Sequence, residues 1–273
     1  MRQRILVFTD LDGTLLDHVS YSFEPARPAL RLLREKRIPL IICSSKTRAE
    51  IEPIRRELAN TDPFISENGG AVFIPEGYFS QEIPLARKES EYHILELGTP
   101  YPKLREAMSN LQADRPGQLR GFGDLTVDEV AALTGLSRPE AELAKKREYD
   151  EPFLMDEAAS IGTIREMAEK AGLKITQGGR FFHLMGDNDK GKAVRLLRTI
   201  YENEGCRSLR TIGLGDSPND LPLLKNVDFP VLVQKPGGRY DPSVRASGLI
   251  RAPGEGPSGW RETVLELVGR LGV

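Results

Sequence analysis

The chain has 273 residues, of which 39% are hydrophobic and 29% charged, enough apolar sequence to bury a sizeable core. Its 38 Lys and Arg against 40 Asp and Glu leave a net charge of −2, which excludes a global electrostatic pull on nucleic acid or anionic lipid. Two cysteines, Cys43 and Cys206, exclude a disulfide scaffold, and no apolar run approaches the ~18 residues that cross a bilayer.

In chain order, Met1-Arg2-Gln3-Arg4 leads at once into the apolar run Ile5–Thr9, too short and without the small-residue cleavage site of a signal peptide, so a reducing, cytoplasmic setting is expected. Ala26–Lys36 predicts a helix, Pro39–Cys43 a strand, Thr47–Ala59 a helix and Phe64–Ser66 a strand that ends in Glu67-Asn68-Gly69-Gly70. Continuous apolar strands between helices predict a parallel sheet covered on both faces.

The middle of the chain changes character. A strand is expected at Tyr92–Leu97, helices at Pro102–Gln112 and Ser137–Glu148, and a strand near Phe153–Leu154. Thr126-x-x-Glu129 and Ser137-x-x-Glu140 fit capping boxes. A helix over Ile161–Ala171 stops at Gly172, and Leu173–Gln177 with Arg180–Met185 form a hairpin across Gly178-Gly179. The helix–strand rhythm returns after Lys190 with a helix over Gly191–Asn203, strands at Thr211–Leu214 and Phe229–Val233, a short helix at Leu221–Asn226, a loop over 251–258 and a closing helix at Trp260–Leu271. The expected organisation is an α/β, Rossmann-like parallel-sheet core from 1–85 and 188–273, with an α+β domain inserted over 86–187. Linkers near Ala86–Glu91 and Gly186–Asp189 would let that domain hinge.

Polar residues gather just after the apolar strands: Asp10 and Asp12 after the first, Ser44 after the second, and Asp216 after Thr211–Leu214. In an open parallel sheet these strand ends face one crevice. Hard oxygen ligands suit Mg²⁺, which Asp10, Asp216 and the backbone carbonyl of Asp12 could hold. His18, His93 and His183 are scattered and no Cys/His spacing fits zinc, although His183 in Arg180-Phe181-Phe182-His183 is a candidate to line a pocket.

A carboxylate that attacks a phosphate meets anionic repulsion of about 4 kcal/mol at about 4 Å and an effective dielectric near ~20. Lys190 and a divalent cation would offset it, with Ser44 on the remaining phosphate oxygens. Asp12, between the anionic Asp10 and Asp216, would then be the acid that protonates the leaving oxygen and the base that activates water.

Asp10-Leu11-Asp12-Gly13-Thr14-Leu15-Leu16, Ser44, Lys190 and Gly215-Asp216-Ser217-Pro218-Asn219-Asp220 together resemble the motifs of the haloacid dehalogenase superfamily, and the insertion resembles the cap of its Cof-type branch. The resemblance implies Asp10 as nucleophile and Asp12 as acid/base. It implies Mg²⁺ on Asp10, Asp12 and Asp216, phosphate on Ser44 and Lys190, and support of the metal site from Asn219 and Asp220. Ser45-Lys46-Thr47-Arg48, Glu67-Asn68-Gly69-Gly70, Gly123-Asp124-Leu125-Thr126, Arg147-Glu148-Tyr149-Asp150 and Gly178-Gly179-Arg180-Phe181-Phe182-His183 resemble the mannosyl-3-phosphoglycerate phosphatase family, although that family often has Thr or Ala where Ser44 and Ser45 stand. A phosphorylated sugar–glycerate substrate is implied, with Lys46, Arg48, Arg147 and Arg180 as candidates for its carboxylate and phosphate, and Glu67 and Asn68 for sugar hydroxyls.

Alternatives stay open. A glucosyl-3-phosphoglycerate or another sugar phosphate fits the same motifs, a sugar phosphomutase shares the nucleophile, and a sugar-phosphate sensor would bind without turnover. Gly186-Asp187-Asn188-Asp189-Lys190-Gly191-Lys192-Ala193 approaches a nucleotide loop, but Ala193 lacks the cation-binding hydroxyl and two aspartates would repel phosphates.

Overall fold

The computed structural model describes residues 4–156, 159–178, 181–205 and 208–272. The first part of the chain runs β1 (Arg4–Thr9), α1 (Arg27–Lys36), β2 (Leu40–Cys43), α2 (Arg48–Glu57), β3 (Phe64–Ser66), β4 (Ala71–Pro75), β5 (Arg87–Glu89) and β6 (Tyr92–Glu96). A second body follows: α3 (Tyr101–Asp114), β7 (Leu119–Gly121), α4 (Val127–Thr134), α5 (Arg138–Ala144), β8 (Asp150–Met155), α6 (Ile161–Lys170), β9 (Lys174–Gly178) and β10 (Phe181–Met185). The chain then returns through α7 (Lys190–Asn203), β11 (Leu209–Gly215), α8 (Leu221–Leu224), β12 (Phe229–Gln234), β13 (Ile250–Glu255) and α9 (Gly256–Arg270).

The large sheet has nine strands in the order β13-β12-β11-β1-β2-β3-β4-β6-β5. It is parallel from β13 to β3 and antiparallel beyond, so the expected parallel core carries a three-strand antiparallel extension. Strand alternation separates two cores. Ile5 and Val7 of β1 pack with α1, α2 and α9, whereas Leu6 and Phe8 pack with α7 and α8. The fully buried Trp260 of α9 donates its Nε1–H to Thr9 Oγ1 at 3.0 Å. A helix on one face therefore fixes the tip of β1, immediately before Asp10.

The smaller sheet is antiparallel, β7-β8-β10-β9, and β9 and β10 form the expected hairpin. Leu104 and Met108 of α3, Ile164 and Ala168 of α6 and the inward Phe153 and Leu184 fill its core. Both expected capping boxes are present, at Thr126 and Ser137, each with a Thr or Ser side chain accepting from an N3 backbone N–H.

Some segments differ from expectation. Tyr92–Leu97 was expected in the inserted domain, yet β6 pairs with β4 over Tyr92–Glu96 because Tyr92, Ile94 and Leu95 bury into the large sheet's cores. Half of the first expected linker is likewise a strand, β5. The helix expected to reach Glu148 ends at Ala144, because the N–H groups of Glu148 and Tyr149 are taken by the Glu67 carboxylate. The expected loop over 251–258 contains β13 and the start of α9. Pro253 is tolerated on an edge strand and Pro257 in the first turn of a helix. Among the described residues no helix is long and apolar enough to cross a membrane.

Candidate active site at the carboxyl edge of the sheet

Strands β1, β2 and β11 are neighbours, with Thr9 opposite both Ile42 and Leu214. The residues that leave them, Asp10, Ser44 and Asp216, therefore meet at one edge. Carboxylate oxygens of Asp10, Asp216 and Asp220 lie within 4.8 Å of one another, and all three residues are buried. Gly215 makes this approach possible, since a Cβ there would lie 2.4 Å from Asp220 Cβ.

Lys190, fully buried at the start of α7, donates to Asp10 Oδ1 at 2.7 Å and to Asp220 Oδ1 at 2.6 Å. Asp220 Oδ2 accepts from the backbone N–H groups of Asp216 and Ser217, each at 3.0 Å, so this carboxylate also shapes the loop. Burial, then Asp220 and Asp216, raise Asp10 well above its ordinary range against the pull of Lys190. Burial and Asp220 push Asp216 up to about 7. Burial disfavours charge on Lys190, but Asp10 and Asp220 outweigh it and hold its pKa high. One ammonium thus faces three clustered carboxylates, an excess of buried negative charge that a hard divalent cation fits.

Asp12 sits apart from that cluster in its pairing. Its Oδ2 lies 3.1 Å from Lys46 Nζ, and its Oδ1 is buried with no hydrogen-bond partner. The charge paired with Asp12 is therefore an ammonium, whereas the sequence reading set only the like-charged Asp10 and Asp216 beside it. Lys46 is also 3.5 Å from Glu50 Oε1 and 5.3 Å from the Tyr21 ring centroid. Burial works against the charge of Lys46, but Asp12 and Glu50 raise its pKa overall. Glu50, not singled out from the sequence, also closes a capping box with Thr47, and the pattern Thr47-x-x-Glu50 carried that signal. Ser44 is buried, and its Oγ accepts from the Lys46 N–H at 3.2 Å.

The remaining candidates join the two bodies. Glu67 and Asn68 hold left-handed backbone at φ 45° and 56°. The fully buried Glu67 accepts from Glu148 N at 3.0 Å and Tyr149 N at 2.8 Å, with Arg147 Nη1 at 4.0 Å. Arg147 also donates to the Ser45 carbonyl at 2.8 Å, and Thr47 Oγ1 to the Leu143 carbonyl at 3.0 Å. Arg48 is engaged with Glu89 at 3.0 Å and Glu148 at 3.5 Å. Asn219 donates to Asn68 Oδ1 at 3.1 Å rather than into the acidic cluster, and Asn68 donates to Asp150 Oδ2 at 2.8 Å. Asp150, fully buried, receives His183 Nδ1 at 2.9 Å. Asp150 was not singled out as a site residue, although it closes the segment Arg147-Glu148-Tyr149-Asp150 that carries part of the family resemblance. Arg180 lies outside the described residues.

Comparison with known proteins places this geometry in context. A family profile of haloacid dehalogenase-like hydrolases matches residues 7–99. A glucosyl-3-phosphoglycerate/mannosyl-3-phosphoglycerate phosphatase of Methanococcoides burtonii is 50% identical over 266 residues, covering 97% of each chain. A mannosyl-3-phosphoglycerate phosphatase of Pyrococcus furiosus is 38% identical over 84% of this chain and 90% of its own. In fold, the sucrose-phosphatase of Synechocystis sp. PCC6803, solved with sucrose and phosphate, superposes with a TM-score of 0.62 at 15% identity, covering 99% of this chain and 98% of that one.

Proposed function

The chain belongs to the haloacid dehalogenase-like hydrolases and is a phosphoric monoester hydrolase, and from that premise we propose that it releases phosphate from mannosyl-3-phosphoglycerate to give mannosylglycerate. Glucosyl-3-phosphoglycerate is the second substrate we propose, because the 50% identical relative carries both names. The observation that supports the chemistry best is the buried meeting of Asp10, Asp216 and Asp220 around Lys190, with an unpartnered Asp12 oxygen two residues from Asp10.

In this reading an Asp10 carboxylate oxygen attacks phosphorus, and the bond from phosphorus to the glycerate oxygen breaks with its electron pair on that oxygen. Asp12 delivers the proton that the leaving oxygen needs. As a carboxylate, Asp12 then takes a proton from water, whose oxygen displaces Asp10 from phosphorus. Lys190 aligns Asp10, while Asp220 holds both Lys190 and the loop that carries Asp216. Asp10, Asp216 and the Asp12 carbonyl would hold Mg²⁺, which when bound supplies positive charge to the transferring group. Ser44 and Lys190 are assigned to the phosphate oxygens. Residues 99–186 are read as the cap that supplies specificity, with Arg147 on its underside and Glu67 and Asn68 on the floor that faces it.

A phosphate-release screen with Mg²⁺ varied tests this directly. The expected order is glycosyl-3-phosphoglycerates well above simple hexose phosphates. Equal rates across the panel would remove the substrate assignment, and metal-independent release would remove the cation.

A further inference from the structure

The connection between β12 and β13 builds a second concavity, apart from the catalytic edge. It encloses a cleft of about 980 Å³, a size that suits a small organic molecule. None of Asp10, Asp12, Ser44, Lys190, Asp216 or Asp220 lines it. The floor is apolar: Leu232 and Val244 are buried, and Tyr240 and Leu249 pack against the same core. The walls carry four cations, Lys235, Arg239, Arg245 and Arg251, against one carboxylate, Asp241.

That carboxylate is already engaged. Asp241 Oδ2 takes Lys235 Nζ at 2.8 Å, and its Oδ1 accepts from the Ser243 N–H at 3.0 Å and hydroxyl at 2.5 Å. The three arginines have no carboxylate partner among the described residues. Arg245 donates only to the Pro242 carbonyl, at 3.4 Å, and Arg251 lies over the Tyr240 ring, 5.3 Å from its centroid. A guanidinium held by stacking keeps its N–H groups for another acceptor. Exposed arginines elsewhere are matched by acids: Arg27 by Glu24, Arg120 by Glu129, Arg138 by Asp128. The cleft therefore concentrates unmatched positive charge in a chain whose net charge is −2.

The backbone that carries these arginines is pinned. Gly237 and Gly238, at φ 84° and 70°, turn the chain so that the Lys235 N–H reaches the Arg239 carbonyl at 2.8 Å. The Gly238 N–H is held by Glu255 Oε1 at 2.8 Å. The Tyr240 hydroxyl donates to the Ala252 carbonyl of β13 at 2.5 Å and accepts from Gln234 Nε2 of β12 at 3.0 Å. Three separate points of the sequence thus bring arginines around one apolar floor before any ligand arrives, which lowers the ordering cost of binding.

We infer that this cleft is a binding site for a small organic polyanion, a molecule with two or more phosphate or carboxylate groups for the arginines and an apolar body for the floor. An inorganic anion satisfies the arginines but leaves that floor in water.

Calorimetric titration of the full-length protein with Mg²⁺ tests this with two probes. Adenosine α,β-methylene diphosphate has paired anionic groups and an apolar body; methylenediphosphonate has the anionic groups alone. Neither can be hydrolysed at its bridge. The nucleotide analogue should bind more tightly than methylenediphosphonate. Arg245→Ser and Arg251→Ser should each weaken it about tenfold, the worth of one charge-assisted hydrogen bond, and leave kcat/KM for p-nitrophenyl phosphate unchanged. Raising NaCl from about 0.05 M to about 0.5 M should weaken both probes several-fold. No heat and no shift in melting temperature at millimolar nucleotide analogue would overturn the site. Wild-type affinity in the double variant would overturn it too, by placing the anion in the catalytic crevice. Equal affinity for the two probes would overturn the organic body, and tighter, arginine-dependent binding of a single-stranded oligonucleotide would replace the small ligand with a nucleic acid.

Discussion

The molecule handles buried polarity in two contrasting ways. At the carboxyl edge of the large sheet, three carboxylates crowd one ammonium, and burial raises Asp10 and Asp216. At the seam with the smaller body, each charge has a dedicated partner: Asp150 has His183 and Asn68, and Glu67 has backbone N–H groups with Arg147 nearby. Burial alone would raise Asp150, but His183, Arg147 and Asn68 more than reverse it and hold its pKa below the usual carboxylate range. Under-compensated charge suits the proposed role of this centre in attracting a cation and a phosphate. Pairwise matching, even with Arg147 Nε, Glu148 Oε2 and Asn219 Oδ1 left without a hydrogen-bond partner, suits a surface that must seat one body on another in a single register.

The contrast can be broken by substitution. Asp10→Asn should remove activity on every phosphoester, by roughly 10⁴-fold or more in kcat, because it deletes the proposed nucleophile. Steady-state phosphate release reads this, and residual activity near wild type would remove Asp10 from the chemistry. Lys190→Met leaves two buried carboxylates without their ammonium. It should cost about 3–5 kcal/mol in urea unfolding and about 10²–10³-fold in kcat. Adding Asp220→Asn should recover part of the stability but little of the rate.

At the seam the expected effects are smaller and selective. Arg147→Ala removes the bond to the Ser45 carbonyl and the cation beside Glu67, at a cost of about 1–3 kcal/mol. KM for a phosphoglycerate should rise more than kcat falls. A uniform loss on aryl phosphates would place Arg147 with the core machinery instead.

The mildest change is Glu67→Gln. Burial lifts Glu67 to about 8, against the lowering pull of Arg147 and the two backbone N–H groups. The folded state thus holds a proton that the unfolded chain releases near its ordinary value of 4.5. Stability from this group is complete at lower pH and declines as pH rises from about 4.5 through about 8. Melting temperature against pH should fall less steeply for Glu67→Gln over that window, and parallel curves would show that Glu67 does not titrate there.

The same contrast explains what could be read from the chain alone. The core site depends on residues one step beyond apolar strands, so Asp10, Ser44 and Asp216 were visible as soon as strand ends were placed on one edge. The seam depends on pairings such as Asn68 with Asp150 and Asn219 with Asn68, which are set by tertiary contact and leave no spacing rule. Asp12 shows the limit within the motif itself. Its position was readable, but its partner Lys46 arrives from the loop after β2, which sequence proximity to Asp10 could not reveal. Likewise β5 and β6 looked like part of the insertion because their strands are short and polar-flanked, and only their ladder to β4 assigns them to the large sheet.

Rapid-quench trapping tests the central claim most directly. The enzyme is mixed with excess mannosyl-3-phosphoglycerate and Mg²⁺, stopped within one turnover, and its peptides are mapped by mass. The account predicts a phosphoryl group on the peptide that contains Asp10, appearing no later than the first phosphate and absent in Asp10→Asn. Phosphate released through the first turnover with no covalent adduct on that peptide at any time would contradict it.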